Sequence, residues 1–122
     1  MNNRITLKGR SKMAKARAGV AQLPPIVGIA VGDGGTDSEG NVMTPTDELR
    51  HELLRRNVDS IEKITETSYR FSLSLSRDEL SDKAISEMAL YDSEGDIVAI
   101  KNFKRKYKDP DMEMVFEFDD TF

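Results

Sequence analysis

The 122-residue chain contains no cysteine, which excludes disulfides, thiolate metal sites and thiol nucleophiles. It has one histidine, His51, too few for a multi-histidine metal centre. No stretch reaches the roughly 18 consecutive apolar residues that a membrane-crossing helix needs. The N-terminus is basic but lacks the apolar segment of a secretory signal, so a product made in the cytosol is expected. Acidic residues are missing from the first 32 positions, which instead carry Arg4, Lys8, Arg10, Lys12, Lys15 and Arg17.

The remaining 90 residues hold 12 basic and 22 acidic side chains, giving a net charge of −4 for the whole. This asymmetry suggests that residues 1–10 form a basic arm that meets an acidic surface, ahead of a single domain over residues 11–122. The acidic body would repel a phosphate backbone, so a protein contact is favoured over nucleic acid. A chain of this length buries roughly two-thirds of its unfolded surface, enough for one core without staples.

Periodicity places a β-hairpin at the centre. Ile85–Tyr91 is rich in apolar residues on both faces, Ser93–Asp96 supplies a turn in which Gly95 is able to take a positive φ, and Ile97–Ile100 is continuously apolar. Before it, Ser11 is a candidate cap for an alanine-rich helix ending near Gly19, stopped by Leu23-Pro24-Pro25. Ile26–Val31 reads as a strand. Thr44 as cap, Pro45 as first helical residue, Asp47 and Glu48 in the first turn and a Leu49, Leu53, Leu54 stripe predict a second helix ending at Asn57.

Period-two alternation then predicts strands from Val58 to Ile64 and from Tyr69 to Leu75. Lys104–Pro110 reads as a basic loop. A last strand has Met112, Met114, Phe116 and Phe118 facing in. The expected fold is α+β: an antiparallel β-sandwich-like core of about five to six strands with two helices in the N-terminal half.

Several constellations invite a chemical reading. The loop Gly32–Asn41 has four glycines and three acids. It lacks the Lys-Ser/Thr of a phosphate loop. Asp33, Asp37 and Glu39 offer oxygens to a cation without the spacing of a helix-loop-helix calcium site, so a solvated turn-rich loop is favoured. His51 with Asp47 or Glu48 has no nucleophile in register and reads as a solvated histidine. Glu87 lies among Ile85, Met88 and Ala89 in a strand expected to be buried. A carboxylate accepting bonds from a backbone turn, Lys83 or Arg77 is favoured over a general base. Lys101–Lys108 interleaves five basic residues with Phe103 and Tyr107; a solvated loop is favoured over a base-stacking patch. No catalytic residue, cofactor or resident metal is expected.

The stretch ISEMALYDSEGDIVAIKNF, residues 85–103, resembles the I-x-E-I/M-A/G-L-Y/F-D-x-x-G-x-I/L-I/V-A-I/V segment of the phage tail-collar fibre family. Ala14–Ala18 resembles the family's opening helix, and Ile29–Gly35 its I-A-x-G-D-G strand and turn. Thr44-Pro45-Thr46 with Leu49 resembles its TPT-x-x-x-L segment, and Phe116–Phe122 its closing F-x-x-x-x-F strand. The similarity runs from about residue 8 to 122.

The resemblance implies a structural virion protein, not an enzyme. It would fix a tail fibre to the baseplate of a contractile phage or a phage-tail-like bacteriocin, usually as a trimer, assembled in the host bacterial cytoplasm with no membrane partner. The chain stops at Phe122 with neither shaft nor receptor-binding tip, so a short adaptor or the attachment part of a longer fibre is expected. On this reading Arg4, Lys8, Arg10, Met13, Lys15 and Arg17 are the candidate partner contacts. Glu87, Gly95 and Pro45 are structural. The alternatives are a small cation- or ligand-binding domain using Gly32–Asn41, or a nucleic-acid binder using the basic arm.

Overall fold

A computed structural model describes residues 3–122. Among these, eight strands and one helix occur in the order β1 (Asn3–Ile5), α1 (Leu7–Arg17), β2 (Ile26–Gly32), β3 (Glu52–Asn57), β4 (Ser60–Thr65), β5 (Ser68–Leu75), β6 (Ala84–Asp92), β7 (Ile97–Tyr107) and β8 (Met114–Thr121). They form two antiparallel sheets, β1-β7-β6-β2-β3 and β4-β5-β8.

The alternation read from the sequence explains the core. Phe71, Leu73 and Leu75 of β5 and Phe116 and Phe118 of β8 face Ile29 and Val31 of β2, Ile85, Met88 and Leu90 of β6, and Ala99 of β7. The central hairpin is the most deeply buried part, with Ile85, Ala89 and Leu90 fully enclosed. Gly95 turns it at φ +84°, a backbone region that side chains disfavour. A second cluster of Ala30, Ala89, Tyr91 and Ile100 lies on the other face of the larger sheet, against Val27, Leu49 and Ile97. That sheet is therefore apolar on both faces, which is why β6 lacks alternation.

The second helix is not formed. Residues 44–50 are irregular, and Glu52–Asn57 is a strand pairing with β2 from Gly28↔Asn57 to Gly32↔Glu52. Each local helix signal has a longer-range use. The Asp47 carboxylate accepts the Leu7 N–H at 2.8 Å and the Arg4 Nε–H at 3.1 Å, so it caps α1. Pro45 is buried in the loop, and Leu53 and Leu54 pack on the core. A short isolated helix is marginal in water, and a ladder of five residue pairs onto an open strand edge outweighs it.

Other boundaries moved as well. α1 is capped by Thr6, not Ser11: the buried Thr6 hydroxyl accepts the Gly9 N–H and donates to the Ile97 carbonyl. The boundary expected at residue 10 falls inside α1, and residues 3–5 are an edge strand rather than a free arm. β7 runs to Tyr107, through most of the expected basic loop, whereas Met112 is exposed ahead of β8.

α1 sits close on β7 because Gly9 carries no side chain. A Cβ there would lie 2.4 Å from the Val98 carbonyl oxygen and 3.1 Å from Ile5 Cγ2. Gly9→Ala, although it favours helix locally, is expected to destabilise the domain by about 2 kcal/mol through overpacking. Thermal denaturation checks this; a variant as stable as the parent would show that the helix has room to spare.

Candidate interaction surface

The basic residues of α1 divide into two sets. Lys8, Arg10, Lys15 and Arg17 are exposed and have no carboxylate within ion-pair distance among the described residues. Lys12 is different. It projects into the β6–β7 turn, with its ammonium 2.5 Å from Asp92, 2.8 Å from Glu94 and 2.8 Å from Asp96. Burial pulls its pKa down, but the bonds to Asp92, Asp96 and Glu94 outweigh this and hold it above its ordinary value. α1 is thereby fastened at two points: Asp47 holds its first turn and the acidic hairpin turn holds its middle. A rigid helix with four unpaired cations facing solvent can set register on an acidic surface and speed encounter with it.

Of the other partner candidates, Arg4 is engaged with Asp47, and half-buried Met13 lines an apolar groove beneath the helix. The sequence singled out the cations of α1 by charge alone. It gave no sign that Lys12 differs from its neighbours, because the acids that claim it lie about eighty residues away.

The three acids of the glycine-rich loop do not converge on one point. Asp37 accepts from the Glu39 and Asn41 backbone N–H groups at 2.9 Å each and from Asn41 Nδ2 at 3.2 Å, which closes the loop. The Asn41 backbone bond is the main reason its carboxyl lies below the ordinary range. Asp33 is 2.5 Å from His51 Nδ1, and Glu39 is exposed. The carboxylates that do lie within 4.8 Å of one another are Asp92, Glu94 and Asp96, and the Lys12 ammonium contacts all three.

Glu87, only 1 % exposed, accepts three backbone N–H groups, from Gly34, Arg50 and His51, each at 2.9 Å. Neither Lys83 nor Arg77 reaches it; Lys83 instead offers its carbonyl to the Lys108 N–H. The Lys101–Lys108 segment is also partly structural. Lys108 is fully buried, donating to the Arg77 and Asp109 carbonyls, and Arg105 holds Thr36 Oγ1 and the Asp37 carbonyl. Lys106 lies over the Phe103 ring at 5.5 Å. This leaves Lys101, Lys104 and Lys106 as its exposed lysines, beside exposed Arg105, which is engaged with the loop.

No described helix is long and apolar enough to cross a membrane. The family model described as "Phage tail-collar fibre protein, N-terminal" matches residues 1–116. Comparison with curated proteins and with solved structures gives no match.

Proposed function

Because the chain belongs to the phage tail-collar fibre protein family and matches its N-terminal domain over residues 1–116, we propose that it attaches a tail fibre to the baseplate of a contractile phage tail or a phage-tail-like bacteriocin particle. The family is one of structural tail proteins rather than enzymes, and membership makes the chain a virion component. The finer assignment joins that match to the surface of α1. Lys8 and Lys15 on one flank of α1 and Arg10 and Arg17 on the other bracket the docking face towards an acidic baseplate or fibre subunit. Copies associate into a trimer.

Immobilised chain should retain baseplate and fibre proteins from disassembled tail particles. Reversing the four helix cations together to glutamate should weaken retention by about tenfold or more, and added salt should weaken it for the parent. Because the four side chains are exposed, the variant should still fold. Undiminished retention would remove α1 from the docking face, and a monomer by light scattering at high concentration would remove the trimer.

A further inference from the structure

One side of the sandwich is open. β1 ends the larger sheet there and β8 ends the smaller, and neither has a second neighbour among the described residues. A cleft of about 340 Å³ separates them, lined by Arg4, Ile5, Ala99, Phe118 and Asp120. At Ile5, Ala99 and Asp120 it joins the apolar groove under α1, of about 140 Å³, which Met13, Leu23 and Phe122 also line. Leu23 and Phe122 remain 53 % and 65 % exposed at its mouth.

Asp120 breaks the pattern of β8. Phe116 and Phe118 point inward, and Asp120, two residues on and opposite Tyr69, falls on the same face. Nothing among the described residues donates to its carboxylate, and burial pushes its pKa up with no compensating cation. An apolar residue would suit the fold better.

We propose that this trough takes an extended segment of a partner tail protein, added as a strand to the free edge of β8, with a lysine or arginine between apolar residues reaching Asp120. β8 offers eight residues of edge, against three for β1. Unpaired strand edges bind by main-chain bonds, with pockets reading alternate side chains. A cation with an apolar stem matches a half-buried carboxylate placed where the polar cleft along β8 meets the apolar groove under α1. A second copy of this chain fits less well. The unpaired cations of α1 sit on a helix, whose backbone is already bonded; Lys63 of the exposed strand β4 is 2.8 Å from Glu66; and Lys104 and Lys106 belong to β7, a strand already paired with β6, with Lys106 over the Phe103 ring at 5.5 Å. The assignment deepens the attachment reading and rests on it for the nature of the partner.

The test pans a random displayed-peptide library on the intact chain, with Asp120→Asn and Asp120→Lys as counter-targets. Selected peptides should share a basic residue between β-formers, lose at least about tenfold in affinity on Asp120→Asn, and protect β8 amides from exchange. Asp120→Asn alone should raise Tm by roughly 2–4 °C, because it removes a desolvated, unpaired charge. Four outcomes would overturn the proposal: no enrichment, peptides without a basic consensus, binding indifferent to Asp120, or a lowered Tm. Asp120-dependent self-association without peptide binding would also overturn it, by putting a second copy in the trough. Retention of tail proteins that survives Asp120→Lys removes the trough and leaves the attachment reading standing. No retention by the parent fails that reading, while the peptide result still decides the trough.

Discussion

Replacing Glu87 by glutamine should destabilise the domain by about 3 kcal/mol, lowering Tm by roughly 10 °C. The carboxylate has both oxygens committed, Oε2 to the Gly34 and His51 N–H groups and Oε1 to that of Arg50. An amide keeps one acceptor and sets an N–H group against a backbone donor. At least one buried N–H then goes unsatisfied, and the remaining bonds lose their charge assistance. Next along β6, Ser86 Oγ accepts the Gly35 N–H at 2.8 Å, so adjacent residues pin both ends of the 33–51 segment. The loss should therefore be local first, with amides of Gly34, Arg50 and His51 exchanging faster than those of β5. A change in stability below about 1 kcal/mol would mean that the loop is held mainly by something else.

Lys12→Met should have an effect of similar size, about 3 kcal/mol, by removing one partner from a largely buried ion pair. Asp92 is only 1 % exposed, and its other oxygen is already occupied by the Glu94 and Asp96 N–H groups at 3.0 and 3.1 Å. Without the ammonium, three carboxylates face one another inside 4.8 Å. Combining Lys12→Met with Asp96→Asn should recover part of the loss, and this non-additivity distinguishes relief of repulsion from lost packing. Strictly additive losses would refute the staple.

The pH dependence follows from the two shifts. The Lys12 pKa is raised, so its contribution is complete below the ordinary 10.5 and is lost only as pH rises through the higher folded value. Asp96, lowered chiefly by the Lys12 bond, contributes above the ordinary 3.8 and loses that contribution as pH falls through its lower folded value. The stability difference between parent and Lys12→Met should thus be flat between those limits and shrink beyond each. A difference that varied strongly around neutrality would contradict this.

Much of the architecture was legible in the chain. The central hairpin and its turn at Gly95, the alternating strand β5, the first helix and the β-rich sandwich class all follow from patterns within a dozen residues. The expected second helix does not form, for a definable reason. Thr44, Pro45, Asp47 and Glu48 form a good local start signal, but Asp47 caps a different helix and Glu87 claims the Arg50 and His51 amides. The candidate surface was legible only as charge: six basic residues with no acid among the first 32 positions.

By itself, the sequence determined what local periodicity and composition can carry: which residues are apolar, which strands alternate, where the chain turns, and that thiol chemistry is absent. Only the tertiary structure decided which charges are spent inside the fold and which remain for a partner. Lys12 and Lys15 are both lysines of one short helix, yet the first is enclosed by a turn about eighty residues away and the second faces solvent. Asp119 and Asp120 are neighbours, yet Arg70 holds the first carboxyl down while burial pushes the second up. The physical reason is range. Apolar patterning acts between residues a few positions apart, whereas the state of a charge depends on whatever the fold brings within a few ångströms of it.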